Sequence, residues 1–173
     1  MSLFEPIRGL CPPAASAAEV AELPYDVMTR AEALVMAAGR PHSFLHVSRP
    51  DIDLPAGSPA DSAEAYELAA AAFARLQDEG MLVRDLGARF HVYRMSSGGH
   101  VQTGIVGGAS VAAYDAGRIR RHETTRPAKQ ADRAAQINAV GAQTGPVCLI
   151  HHHSDQIAAI VAAAASGPPP TVV

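Results

Sequence analysis

The stretch DSAEAYELAAAAFARLQDEG, residues 61–80, decides the fold class because it predicts one long helix that is followed by strands. Asp61 or Ser62 is suited to cap the start of this helix, and Gly80 is suited to end it. One apolar face is predicted from the residues that recur at helical spacing, namely Tyr66, Ala69, Ala70, Phe73 and Leu76.

The residues after this helix predict antiparallel strands. We expect a hairpin formed by Met81–Arg84, a turn at Asp85–Gly87 and a second strand at Arg89–Met95. Another turn at Ser96–Gly99 then leads into a glycine-rich strand at Val101–Ser110. Its glycines Gly104, Gly107 and Gly108 indicate a bulge or a close approach of backbone.

Helices and strands are interspersed in the rest of the chain without a regular alternation, which favours an α+β fold. We expect a mixed or antiparallel sheet with flanking helices, in a single domain over residues 1–166 with a proline-rich tail at 167–173. Thr29 and Glu32 have the spacing of a capping box for one of the helices. The remaining predicted elements are a strand at Phe4–Leu10, a helix at Ala14–Glu22, a loop at Pro24–Val27, a helix from Thr29 to about Ala38, a strand at Ser43–Ser48, a helix from Pro127 to about Val140, a strand at Pro146–Ile150 and a helix at Asp155–Ala165.

The composition restricts the classes of function. The chain has 173 residues and a net charge of −3, which argues against a general nucleic-acid-binding protein. Cys11 and Cys148 are far apart without a CxxC spacing, which is typical of a reduced, cytoplasmic protein. The sequence predicts neither a secretory leader nor a membrane span, and it leaves a homodimer open.

A basic stretch interrupts this acidic chain. Residues 118–133 hold six Lys/Arg and two acids, a local charge of +4, so the remaining 157 residues carry −7. A cationic island on an anionic protein attracts small anions, and its spacing suits phosphate or carboxylate better than a long nucleic acid. The alternative is a solvated basic surface with ordinary salt bridges.

The second half of this stretch predicts an anion site. If a helix begins at Pro127, the free N–H groups of its first turn attract an anion. Arg126, Lys129 and Arg133 recur at helical spacing and are candidates to hold a diphosphate or triphosphate. Glu123 is a candidate base or Mg²⁺ ligand, and His122 beside it titrates near neutral pH.

Three other loops carry groups that can do chemistry, each with a structural alternative. Asp26 lies in a turn before a helix cap. His46 and Arg49 lie in FLHVSRP, where we expect them to diverge on a strand, and a lone histidine is more often structural. His100 follows two glycines that can expose N–H groups to an anion or simply form a hairpin turn.

The triplet His151–His153 is a weak metal candidate. Alternation puts His151 and His153 on one side of an extended segment, but no Cys or carboxylate at ligand spacing joins them. We therefore predict no metal site from protein residues. The P-loop, GxSxG, HExxH, CxxC and GxGxxG patterns are all missing from the sequence.

Five motifs together resemble the bacterial and archaeal domain-of-unknown-function family 1015. They cover most of the chain in order, and they are PYDV (24–27), FLHVSRPDIDLP (44–55), YRMSSGGHVQTGIVG (93–107), HETTRPAKQADR (122–133) and AQTGPV (142–147). Members of that family are usually about twice as long, and their second half carries a DGHHR-type motif like that of the ParB/sulfiredoxin fold. This chain has no DGHHR, so we expect the N-terminal part of such a protein or a truncated relative.

The resemblance implies a nucleotide-dependent kinase that acts on a small molecule, with free L-serine as the leading substrate and ATP or ADP with Mg²⁺ as the cofactor. In that hypothesis Arg126, Lys129 and Arg133 hold the phosphates, and Glu123 is the base or the Mg²⁺ ligand. His122 and His100 orient or donate, whereas Asp26, His46 and Arg49 grip the amino acid. The alternative is a nucleotide- or partner-binding module without catalysis, of the partitioning-protein type. A third reading leaves the basic stretch as plain surface.

Overall fold

A computed structural model of the chain describes residues 2–121 and 124–167. It confirms the α+β class, because helices and short antiparallel strands occur in separate runs along the chain. Contacts between Cα atoms divide the described residues into two compact units. The first unit lies within Met1–Leu10, Arg84–Thr124 and Pro146–Pro170, and the second lies within Cys11–Val83 and Thr125–Gly145. The prediction of one domain over residues 1–166 stays a prediction.

The regular elements follow one another as a series of short helices and strands. In chain order they are β1 (Phe4–Glu5), β2 (Leu10–Cys11), α1 (Ala17–Val20), α2 (Arg30–Ala37), α3 (Leu45–Ser48), α4 (Ala63–Asp78), β3 (Val83–Arg84), β4 (His91–Ser97), β5 (His100–Val106), β6 (Gly108–Ala109), α5 (Val111–Asp115), α6 (Pro127–Val140) and α7 (Asp155–Ala164). Two 3₁₀ turns lie at Tyr25–Val27 and Pro50–Asp53.

The predicted long helix is α4, which packs against α3 and α6 in the second unit. The Ser62 hydroxyl caps it by accepting the backbone N–H of Ala65 at 3.2 Å. The predicted apolar face is partly wrong, because Tyr66 and Ala70 are only half-buried. The face that is buried turns slightly further around the helix and consists of Ala65, Ala69, Ala72, Phe73 and Leu76. Since three of these five residues are alanine, the neighbouring helices can approach α4 closely.

The predicted capping box of α2 is confirmed. The Thr29 hydroxyl accepts the backbone N–H of Glu32, and the Glu32 carboxylate accepts the backbone N–H of Thr29 at 2.7 Å. These hydrogen bonds lower the pKa of Glu32, with the backbone bond as the larger cause. Ala33 and Ala37 turn inward from α2 and pack with Leu45 and Ile52 into a small apolar core.

The strand predicted at Ser43–Ser48 is wrong, since these residues form the one-turn helix α3. The buried Ser43 hydroxyl accepts the backbone N–H of Leu45 at 3.3 Å, and the N–H of Arg49 bonds to the Leu45 carbonyl at 2.8 Å. A serine that bonds its own backbone favours a turn over an extended strand. Leu45 and Val47 are fully buried all the same.

Gln136 fastens α6 to α3 inside the second unit. Its side chain is 2% exposed, and its amide nitrogen donates to the carbonyl of Val47 at 2.7 Å. Val47 lies in the last turn of α3, where carbonyl groups lack partners within the helix. The bond from Gln136 therefore pairs a carbonyl whose burial without a hydrogen bond would destabilise the fold. The predicted helix from Pro127 to Val140 is confirmed, and Gly141 ends it with φ +72°.

The first unit contains a hairpin of two seven-residue strands. In it β4 pairs antiparallel with β5, from His91 with Val106 to Ser97 with His100. The two-residue loop is Gly98-Gly99, and both glycines have positive φ, as a tight hairpin turn requires. The hairpin predicted between residues 81–84 and 89–95 is wrong, because β3 pairs with β2 and β4 pairs with β5. The turn predicted at Ser96–Gly99 is confirmed, and it joins β4 to β5.

Three further boundaries differ from prediction. The predicted strand at Phe4–Leu10 is interrupted and covers β1 and the start of β2, and the helix predicted at Ala14–Glu22 is cut to α1. The residues 146–150 are not a buried strand, since Val147 is 72% and Ile150 84% exposed. A short apolar run forms a strand only beside a partner edge, and no described strand pairs with this one. The predicted last helix is confirmed as α7.

Gly107 is the point of closest approach in the first unit. β1 pairs with β6, and Phe4 stacks on Phe90 with ring centroids 5.4 Å apart. A Cβ atom built on Gly107 would lie 2.8 Å from the carbonyl oxygen of Glu5 and 2.8 Å from the Phe4 ring. The predicted close approach of backbone is thus confirmed at Gly107. It is absent at Gly104, where the same atom would meet nothing within 4 Å.

We expect Gly107→Ala to destabilise the protein by about 1–3 kcal/mol, because backbone and two rings must move to admit one methyl group. The matched control is Gly104→Ala, which we expect to change the free energy of unfolding by less than about 0.5 kcal/mol. Urea unfolding followed by circular dichroism measures both. Equal effects of the two substitutions would contradict the close approach.

Candidate functional site

The loop PYDV, at Pro24–Val27, is held in place by Arg49 in the second unit. The Arg49 guanidinium binds both carboxylate oxygens of Asp51 at 2.9 Å. Its Nη1 donates to the backbone carbonyls of Tyr25 at 3.2 Å and Met28 at 2.7 Å. The hydrogen bonds to Asp51 raise the pKa of Arg49 above its ordinary value. Because its donors are occupied by the fold, Arg49 is a positioning group for this loop.

Tyr25 belongs to a chain of polar contacts that joins the loop to α4 and α6. The Arg133 guanidinium carbon lies 4.8 Å from the centre of the Tyr25 ring. Arg133 also donates to one oxygen of Asp132, with its Nη2 at 2.9 Å. The other oxygen of Asp132 accepts the Tyr66 hydroxyl at 2.9 Å. A cation on an aromatic face, beside a satisfied carboxylate, is held in a fixed orientation.

Burial, followed by the hydrogen bond to Asp132, raises the pKa of Tyr66 to about 12. The hydroxyl therefore stays protonated at neutral pH and acts as a donor to Asp132. Tyr66 and Tyr25 were not predicted as site residues. No local pattern identifies them, because their partners lie on segments far away in sequence.

The start of α6 remains open to solvent. Arg126 occupies the N-cap position, no side chain caps the first turn, and that turn contains no acidic residue. Arg126 and Lys129 are exposed, and Lys129 is the only lysine of the chain. Neither side chain has a hydrogen-bond or ion-pair partner among the described residues. Arg133, one turn beyond Lys129, is half-buried, with 32% of its side chain exposed. This surface is hereafter the α6 cation surface, formed by Arg126, Lys129 and Arg133.

The other predicted site residues lie elsewhere or are already engaged. His46 binds Asp53 at 2.8 Å and Arg40's carbonyl oxygen at 3.3 Å, which fits the structural alternative. Asp26 is exposed on the Tyr25–Val27 turn. His100 belongs to the first unit, at the exposed end of the β4–β5 hairpin. His122 and Glu123 lie outside the described residues.

Each unit contains a cleft of about 460 Å³ in the described part of the chain. The cleft of the second unit is lined by apolar residues of the 23–36 segment, and that of the first unit by residues of the hairpin and α7. Neither is lined by the α6 cation surface. The three cations therefore lie on an open helix surface.

Metal binding has no support in residues 2–121 and 124–167, where no group of three or more His, Cys, Asp or Glu side chains is placed to hold an ion. In the predicted triplet His151 bonds to the carbonyl of His152, and His153 bonds to Asp155 at 2.9 Å. Cys11 and Cys148 form no disulfide. Within the same residues no helix has the length and apolar character that a bilayer crossing requires.

Glu22 is a titratable group that sequence analysis missed. It lies just before the PYDV loop, and its carboxylate accepts the Ser48 hydroxyl at 2.8 Å. Burial raises the pKa of Glu22 to about 7, and the Ser48 hydrogen bond opposes this rise. A carboxyl that titrates near neutral pH is uncommon and marks this region as a candidate for function.

The comparisons with known proteins identify the family of the chain. The fold defines a small α+β protein without a recognised catalytic motif. The model of the family described as "Protein of unknown function (DUF1015)" matches residues 4–173. The chain belongs to this family. Neither the curated proteins nor the solved structures contain a match.

We expect Glu22→Gln to stabilise the protein at pH 8 and to have little effect at pH 5. The raised pKa means that the folded state keeps a proton that the unfolded state loses, so stability falls as pH rises from about 4.5 to about 7. Glutamine removes this loss, which is on the order of 2 kcal/mol after allowance for partial exposure.

Thermal unfolding of wild type and variant at both pH values measures this difference. Glu67→Gln is the control, because it also replaces one carboxylate by an amide but at an exposed position on α4. An equal shift of the melting temperature at pH 5 and pH 8 would rule out a buried, protonated Glu22.

Proposed function

We propose that the second unit binds a phosphorylated small molecule, a nucleotide in the first instance, on the α6 cation surface. One observation carries the proposal: the uncapped start of α6 presents free N–H groups beside Arg126 and Lys129, which have no described polar partner. Helix N-termini bind phosphate through these N–H groups and the helix dipole. Lysine and arginine add charge-assisted hydrogen bonds.

The arrangement of the three cations suits a chain of phosphates. Arg126 precedes the helix, Lys129 lies in its first turn, and Arg133 follows one turn later on the same face. Arg133 is oriented by Tyr25 and Asp132, so it loses little freedom when it binds. An exposed surface of this kind favours reversible binding, which supports the nucleotide-binding module over a closed catalytic site.

Phosphoryl transfer is the second part of the proposal, and it is supported by the resemblance described above. In this reaction the terminal phosphoryl group of ATP or ADP, bound with Mg²⁺, passes to the hydroxyl of a serine-like acceptor. Glu123 takes the hydroxyl proton, and the shortened nucleotide leaves. Asp26 is exposed and available to bind the amino group of such an acceptor. A cytoplasmic location, where nucleotides are abundant, fits this proposal.

We expect Lys129→Gln to weaken nucleotide binding by about tenfold, because one charge-assisted hydrogen bond is worth about 1.5 kcal/mol or more. Calorimetric titration of ATP, ADP and CTP at low ionic strength measures the effect. Arg118→Gln is the charge-matched control, since Arg118 is an exposed arginine of the first unit. An equal loss in both variants would show only an effect of net charge.

Because Lys129 is the only lysine, an amine-selective acylating reagent gives an independent measurement. Mass spectrometry separates its product from that of the N-terminal amine. We expect ATP to slow the acylation of Lys129 and to leave the N-terminus unaffected. Unchanged acylation at saturating ATP would place the nucleotide elsewhere.

For the transfer step we expect Glu123→Ala to reduce phosphoserine formation by at least about a hundredfold, the usual contribution of a general base. The ³¹P NMR spectrum of a mixture of protein, nucleotide, Mg²⁺ and L-serine measures this product. Nucleotide affinity should change little in the same variant. If the wild type binds nucleotide but forms no phosphoserine, the kinase hypothesis is ruled out and the binding-module hypothesis is retained.

A further inference from the structure

The cleft of the first unit is a groove of about 460 Å³ between the β4–β5 hairpin and α7. Its volume lies within the range of roughly 300–1,000 Å³ that small-molecule sites occupy. The hairpin contributes Arg94 and Thr103, and α7 contributes an apolar wall. None of these residues belongs to the α6 cation surface, so the groove is a separate candidate site.

The wall on α7 exists because of its small side chains. Ala158, Val161, Ala162 and Ala165 recur at helical spacing and line the groove. An alanine fills little of the space between a helix and a sheet, so the groove remains open. No residue of α7 is buried, although the helix is strongly apolar. The wall is therefore available to an apolar ligand.

One end of the groove carries a positioned cation. Arg94 and Thr103 are directly opposite each other in the hairpin and so share one face. Nη2 of Arg94 donates to the carbonyl of Ala165 at 3.0 Å, which ties the guanidinium to the end of α7. Its other N–H groups have no partner among the described residues. A guanidinium with a neighbouring hydroxyl is suited to bind one carboxylate by donating hydrogen bonds to it.

The other end of the groove is polar and, among the described residues, is lined by no arginine or lysine. His151 and His153 border it, and the Asp155 carboxylate binds His153 at 2.9 Å. The concentration of positive charge is therefore at Arg94. A single guanidinium beside apolar walls matches a single negative charge, because burying a second charge without a partner is costly.

We propose that this groove binds a small monocarboxylate with an apolar chain. The carboxylate lies on Arg94 and Thr103, and the chain lies along Val161 and the alanines of α7. The inference goes beyond the nucleotide proposal and is independent of it, since each uses its own residues.

Octanoate is the probe, and 1-octanol is the neutral control of the same chain length. We expect calorimetric titration to detect octanoate below about 10 mM and to give an affinity at least about tenfold lower for octanol. In ¹⁵N NMR spectra the shifted amides should fall within residues 91–106 and 151–165. No heat up to about 10 mM, equal affinity for octanol, or shifts confined to the second unit would each overturn the proposal.

Two variants test the two ends of the interaction. Arg94→Gln removes the cation, and Ala162→Leu fills the groove without a change in charge. We expect each to weaken octanoate binding by about tenfold or more, while the exposed control Arg118→Gln leaves it unchanged. Far-UV circular dichroism confirms that each variant is folded. Wild-type affinity in a folded Ala162→Leu would overturn the proposal even if Arg94→Gln disturbs α7.

Discussion

The contact between Arg49 and Asp51 is the constraint on which the second unit depends. The guanidinium binds both carboxylate oxygens and the carbonyls of Tyr25 and Met28, and only 18% of its side chain and 7% of that of Asp51 are exposed. Removal of either partner would leave a charge that is largely buried and unpaired, which typically costs several kcal/mol. Arg30 reinforces the arrangement by donating to the carbonyls of Asp51 and Leu54. The loop that presents Tyr25 to Arg133 is therefore held in place by these hydrogen bonds.

Sequence predicted the parts of the fold that are determined by neighbours in the chain. The capping box at Thr29, the Ser62 cap, the positive-φ glycines at helix ends and the Gly98-Gly99 turn are all decided within a few residues. Prediction failed where a distant partner decides the outcome. Ser43–Ser48 has the alternation of a strand, but a local serine bond and the packing of α3 on α4 make it a helix. The apolar run at 146–150 met no strand edge among the described residues.

In the candidate site, too, prediction from sequence failed where partners distant in the chain determine the contacts of a residue. The spacing of Arg126, Lys129 and Arg133 was sufficient to predict that they share a helix face at an open N-terminus. What the spacing could not predict is the environment of each cation. Arg133 is paired with Asp132 and stacked on Tyr25, whereas Lys129 is free among the described residues. Arg49 and His46 were candidates for substrate binding; the structure shows their hydrogen bonds within the fold, and the substrate role stays a prediction. The buried carboxyl of Glu22 gave no signal in sequence, because its burial arises from tertiary packing.

The two proposed anion sites differ in the apolar surface around them. Among the described residues, the buried hydrophobic side chains belong to the second unit except for Ala113, whereas the first unit exposes Val92, Met95, Val147 and Ile160. The second unit also has an apolar cleft in its 23–36 segment, but in our proposal its exposed helix start with three cations binds a multiply charged phosphate. The first unit leaves its apolar faces open, so a ligand there gains free energy by burying hydrocarbon, at about 25 cal/mol per Å². Only one positioned guanidinium accompanies that surface, so the hydrocarbon chain must supply most of the affinity and the charge must supply the orientation.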